Sequence, residues 1–354
     1  MLANVGAWLL TLFLTMLLGI ALRFDLTDGA LGALGLAYGD VRHAHSHVGF
    51  YGALTLAWLL LLRQRDITLL GGRATQVYLA IVLVTSALFA FMGYALATIV
   101  LSTVVAGFWL VAAWRVWRDA RLRDDWIALA PWGVVLGMLL IPAIAVTARR
   151  DFALSRDLAH VFIGVMLLLT FVPIALSALR VPRVQPLAFA VCAALGTAHV
   201  VFHDRSPWPL GLALSAAGAL LALGLRGLAG PRWLVVTWWL LPAGLVVMGA
   251  LPPLQQEGVR IAALHFLVLG PLLLTSLHRL APARLAAHPI TFALALVALV
   301  VKLSAMALGP LVALPGAWAI AAWAAVALVV ALALTLLLPA PQGGDVGDTR
   351  ETTS

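Results

Sequence analysis

Residues 289–339 read PITFALALVALVVKLSAMALGPLVALPGAWAIAAWAAVALVVALALTLLLP, and Lys302 is the one charged side chain in the whole stretch. The hydrocarbon core of a bilayer is about 30 Å thick and an α-helix rises about 1.5 Å per residue, so about 20 apolar residues make one crossing. Two such runs stand here, separated by the helix-breaking Gly309-Pro310 and Pro315-Gly316. They predict membrane-spanning helices over 288–307 and 316–339.

Extended outward, the same reading predicts ten more spans, at 3–22, 47–62, 76–93, 95–117, 127–146, 158–179, 185–203, 209–226, 232–250 and 260–279. The expected fold is an all-α polytopic membrane bundle of about 12 transmembrane helices occupying 1–339. A polar tail, 340–354, is expected to be disordered and cytoplasmic. No soluble domain and no internal repeat stands out. The N-terminus has no basic segment ahead of its apolar run, so a retained span is expected there, not a cleaved signal.

Composition agrees with the spans. The 354 residues are 64% hydrophobic and 10% charged, with mean hydropathy +1.07, against about 25% charged in soluble domains. A soluble enzyme, a disordered chain and a nucleic-acid-binding module are excluded. The net charge of +8 comes from arginines scattered between apolar runs, which form no continuous basic face. If the N-terminus is cytoplasmic, the inner loops collect Arg63, Arg65, Arg73, Arg115, Arg118, Arg121 and Arg123 among others. The outer loops then hold Arg23, Arg42, Arg149, Arg150, Arg156, Arg205 and Arg260, which are fewer. That bias predicts both termini inside, in a bacterial-type inner (plasma) membrane. Trp114, Trp117, Trp126, Trp208, Trp233 and Trp318 lie near span ends, as an interfacial belt would place them. Cys192, the single cysteine, sits in an apolar run and reads as packing.

With so few polar side chains, the nine histidines carry most of the chemical information. His43, His45 and His47 open the second span, His160 stands near the start of the sixth, His199 and His203 close the seventh, and His265 is near the start of the tenth. Even and odd spans run in opposite directions, so all seven fall in the outer part of the membrane. His278 and His288 flank an inner loop and need no special role. Imidazole is a leading ligand for transition metals and haem iron, and an ionisable group within a membrane is a functional candidate by default. For the triplet the plain alternative is a polar cap at the membrane surface. For His199 and His203 it is an interfacial pair bonded to neighbouring helices, and for His160 and His265, each taken alone, a structural role. On a helix His43 and His47 share a face and His45 points elsewhere. His199 and His203, at i and i+4, share a face too.

This layout resembles the haem-copper oxidase superfamily, whose catalytic subunit has twelve spans with histidine ligands on spans two, six, seven and ten near the outer surface. The stretch His43-Ala44-His45-Ser46-His47-Val48-Gly49-Phe50 also looks like a segment of the NnrS-type haem- and copper-containing membrane proteins linked to nitric oxide stress. The resemblance implies a haem, of b type, with one axial ligand from His43, His45 or His47 and the other from His265. It implies copper at His160, His199 and His203. It further implies electron transfer or O2/NO chemistry and a redox partner or cytochrome subunit beside the lipid bilayer. The chain departs from the oxidases in three places: span ten offers a single histidine in its outer half, Gly164 stands four residues after His160 where many oxidases have tyrosine, and the seventh-span pair is His-x-x-x-His. A divergent member with one haem, or a haem plus a metal ion, is the expectation. Asp157 and Asp204 are candidates to orient His160 and His203.

Two other classes share some of these features. A secondary transporter also commonly has twelve spans, but it places its substrate near the midplane between repeats. Here the midplane is nearly uncharged. A copper-handling assembly factor would use the same outer histidines without haem. Lys302, the one lysine, lies within span eleven, where it must face a cavity, a carboxylate or a propionate, or snorkel to the outer surface.

Overall fold

The computed structural model describes residues 2–147, 150–182, 207–251, 254, 256–312 and 314–339. Among them the chain is all-helical, with ten helices long and apolar enough to cross a membrane. These are α1 (Val5–Asp28), α2 (Tyr38–Arg63), α3 (Gly72–Met92), α4 (Leu96–Arg118), α5 (Trp126–Ile144) and α6 (Leu154–Ala178), then α8 (Arg232–Ala250), α9 (Gly258–Leu280), α10 (Pro289–Gly309) and α11 (Ala317–Leu337). Between α6 and α8 runs a further apolar helix, α7 (Pro207–Gly224). The span expected at 185–203 and the tail 340–354 lie outside the described residues. Helices are the expected form, because a backbone in hydrocarbon must satisfy its own N–H and C=O groups.

Polar punctuation sets the ends. Gly93, at φ 55°, turns the chain between α3 and α4. The Asp125 carboxylate accepts from the N–H of Ile127 at 3.0 Å as α5 begins, and Asp151 caps Leu154 of α6 likewise at 3.0 Å.

Three helices are central. The best apolar windows of α2, α6 and α9 are 72, 61 and 56% buried inside the protein, whereas no other span among the described residues exceeds 44%. These same three contain the π-helical segments found among the described residues, at Val48–Leu54, Met166–Phe171 and Val268–Leu272. Local chemistry accounts for them. Pro271 lies inside one segment and Pro173 stands two residues past the end of another, and each lacks an N–H to donate. In α2 the Thr55 hydroxyl donates to the Phe50 carbonyl at 2.7 Å. There Gly49 and Gly52 press on Thr15 and Thr11 of α1, where a Cβ would meet them at 3.1 and 3.0 Å.

The central helices approach one another pairwise at the ends away from His45, His160 and His265, through 55–63, 172–178 and 273–280. Their histidine-bearing halves show no comparable pairing among the described residues. Polar contacts knot the closed end. Arg65 pairs with Asp125 at 2.7 Å and donates to the carbonyl and hydroxyl of Ser177 on α6. Gln64 donates to the Arg279 carbonyl of α9 at 2.9 Å. The apolar core above this knot is built around Trp58, Trp109 and Tyr78. In it the Tyr78 hydroxyl donates to the Tyr51 carbonyl at 2.6 Å and accepts from the Trp109 indole at 3.0 Å.

Three expectations change. The second span starts at Tyr38, not 47, so the whole histidine triplet is helical. Arg23 is a buried residue of α1, not a loop arginine, because α1 runs on to Asp28. Trp126 opens α5, at a span end as expected, but at 1% exposure it packs on protein and not on lipid, and its indole donates to the Pro182 carbonyl at 3.2 Å.

Candidate functional site

The helix through Tyr38–His47 separates the triplet. His43 and His47 face α3 and α4. The hydroxyl of Tyr94, in the α3–α4 turn, lies 3.3 Å from His43 Nδ1, and the two rings meet edge to face at 4.5 Å. Burial raises the Tyr94 phenol above its usual range, against the opposing pull of Arg42. His47 has both nitrogens engaged, Nδ1 with the Ser86 hydroxyl at 3.3 Å and Nε2 with the Ser102 hydroxyl at 3.4 Å. Ser86 spends its own proton on the Val82 carbonyl at 2.8 Å, so it accepts from Nδ1–H and Ser102 donates to Nε2.

His45 turns the other way, onto α1. Its Nδ1 lies 2.8 Å from the Thr15 carbonyl oxygen. His265 of α9 repeats the arrangement, with Nδ1 2.8 Å from the Ile261 carbonyl one turn earlier. A carbonyl has no proton to give, so in both rings Nδ1–H donates and Nε2 keeps its lone pair free. This is how a protein prepares imidazole as a ligand: the second nitrogen's hydrogen bond fixes tautomer and orientation and raises basicity.

The two rings also face each other electrostatically. His45, His265, Arg23 and Lys302 all lie within reach of one another's charge. Both imidazoles are deep in the bundle yet only half-buried.

Lys302 does not snorkel. It is 4% exposed and Arg23 is 6% exposed. Arg23 donates one Nη to the Gly19 carbonyl and approaches the Met306 sulfur with the other at 3.5 Å. Met306 stands one turn beyond Lys302 on α10. Neither cation has an ion pair among the described residues.

The second predicted centre falls partly among the described residues. His160 is half-buried on α6, and Asp157 lies 3.8 Å from Arg156. His199, His203 and Asp204 fall outside the described residues, as does Cys192. Among the described residues no cluster of three His, Cys, Asp or Glu side chains is placed to hold a metal ion. At the other end His278 meets the Trp233 ring at 5.9 Å, an ordinary packing contact.

Comparison with models of protein families, with curated proteins and with solved structures returned no match to this chain.

Sequence reasoning missed Arg23 as a site residue. The signal was present: Leu22, Phe24 and Leu26 continue the apolar run past it, and Gly19 stands one helical turn before it. The carbonyls of Thr15 and Ile261 carry no sequence signal, since any residue offers one.

Proposed function

We propose that this chain is a membrane haem protein, a divergent relative of the haem-copper oxidase catalytic subunit and of NnrS-type proteins, in which a b-type haem is held between His45 and His265. The carrying observation is the matched pair of tautomers: two imidazoles on two central helices, each fixed through Nδ1 to a backbone carbonyl, each with an uncommitted Nε2. Counting the sequence-predicted span at 185–203 and α7, the central helices are the second, sixth and tenth of twelve, which supports the oxidase-like reading of the fold. A haem with two histidine ligands supplies a one-electron couple and leaves no coordination position for substrate. The chain's own part is to hold both rings and to fix the local charge. His160 with His199 and His203 is the corresponding proposal for copper, where O2 or NO chemistry would reside. The arginine bias supports an inner-membrane protein with cytoplasmic termini and the histidine site toward the outer face.

The test is a reduced-minus-oxidised visible spectrum of the full chain, expressed where haem is plentiful and purified in mild detergent. Sharp Soret and alpha bands of a six-coordinate haem are expected. A colourless protein would overturn the reading in favour of transport or copper handling.

A further inference from the structure

We propose that Arg23 and Lys302 form one anion-binding pair, which takes the paired carboxylates of the ligand seated between His45 and His265. The proposal deepens the haem reading and rests on it for the identity of that ligand. The cations are less exposed than almost any other charged group here, at 6 and 4%, and they repel each other within charge range. A buried charge requires a counter-charge or a full set of hydrogen bonds. Among the described residues Arg23 and Lys302 have neither. The Arg23 Nε is buried without an acceptor, and one Nη rests on a thioether, a weak acceptor. Lys302 has no hydrogen-bond partner among the described residues. Two basic side chains buried side by side in a membrane bundle can both carry charge only with an anion beside them, and so they mark an anion's place.

Position narrows the class of anion. Arg23 stands one turn from Gly19, against which the His45 ring lies, and Lys302 is within charge range of both histidines. The ligand must therefore offer metal coordination to two imidazoles and two negative charges along one edge. A porphyrin with free propionates has that form. A neutral ligand would leave both cations uncompensated. The same two charges also stabilise the electron-rich state of whatever they neutralise, so they raise its reduction potential.

The experiment compares haem-depleted full-length protein reconstituted in detergent with hemin and with hemin dimethyl ester, which lacks the carboxylate charges. In the parent protein the ester should bind at least tenfold more weakly. Lys302→Met should reduce that discrimination severalfold and shift the midpoint potential of bound haem negative, and Lys302→Arg should restore both. Arg23→Met should act in the same direction. Lys302→Met should also raise the melting temperature of the ligand-free protein, which makes a folding failure visible separately. Equal affinity for hemin and ester, with a six-coordinate spectrum, would overturn the anion pair and leave the haem reading standing. If the parent protein takes up neither, the haem reading falls. Calorimetric titration with succinate then decides the pair alone: saturable binding that Lys302→Met abolishes supports it, and no binding overturns it.

Discussion

Gly19 lies flat against the His45 imidazole: a Cβ built at Gly19 would stand 3.0 Å from His45 Cε1, 3.4 Å from its Nδ1, and 3.2 Å from an Nη of Arg23. The ring that bonds to the Thr15 carbonyl is thus located by a missing side chain as well as by a hydrogen bond. Gly19→Ala should leave the helix intact, since alanine favours helix over glycine, while pushing His45 and Arg23 aside. The expected result is a folded protein with a broadened or partly five-coordinate haem spectrum. An unaltered spectrum would mean that the ring is not held by this contact.

The three histidines of α2 should behave differently on substitution. His45→Ala and His265→Ala should each abolish the six-coordinate signal, because each removes one uncommitted Nε2. His43→Ala should preserve it. His47→Ala should also preserve it but destabilise the protein, by about 1 kcal/mol for the hydrogen bonds lost at buried Ser86 and half-buried Ser102. Spectra and thermal melts on the four variants separate these outcomes. Loss of the signal in His47→Ala with His45→Ala unaffected would reverse the assignment.

The contrast between these residues shows what the chain discloses by itself. The helical period already sets His43 and His47 apart from His45, and the apolar run at 232–250 coincides with α8. The start of α2 was hidden because Asp40, Arg42 and three histidines look like a polar loop. They form helix because that half of α2 faces protein, where polar groups find Tyr94, Ser86, Ser102 and Thr15. The π segments were hidden for a related reason. A π turn reflects how a helix packs as well as what it contains, and Gly49 and Gly52 acquire meaning only against Thr15 and Thr11 of α1.

Close packing behind the π segment of α6 gives a stability prediction. A Cβ on Gly133 of α5 would stand 2.9 Å from the Leu169 carbonyl carbon and collide with the Thr170 hydroxyl, whereas one on Gly107 of α4 meets nothing within 4 Å. Backbone cannot swing aside as a side chain does. Gly133→Ala should therefore cost about 1–3 kcal/mol through overpacking. Gly107→Ala should be neutral or stabilising by up to about 1 kcal/mol, through the entropy that glycine loses on folding. Melting temperatures in one detergent compare the two, and equal values would show that α5 and α6 can separate at little cost.

The closed end of the bundle should respond to acid through Asp125. Burial pushes its carboxyl up, but hydrogen bonds from Arg65, Ser177 and the Ile127 N–H, with the Arg65 charge, outweigh that and hold it below the ordinary 3.8. A carboxylate depressed in the folded state stabilises the fold above its unfolded pKa and loses that contribution as pH falls through the folded value. At neutral pH, Asp125→Asn should therefore lower stability by about 1 kcal/mol, the upper range for a partly exposed pair. The Asn side chain can still accept from Ile127, so the loss reports the Arg65 contact that ties α2 to α5 and α6. The gap between parent and variant should narrow once pH falls below about 4 and close only when the folded Asp125 is itself protonated. Melting curves from pH 7 to pH 3 measure it, and a gap that widens on acidification would show that the Arg65 contact is not what Asp125 contributes.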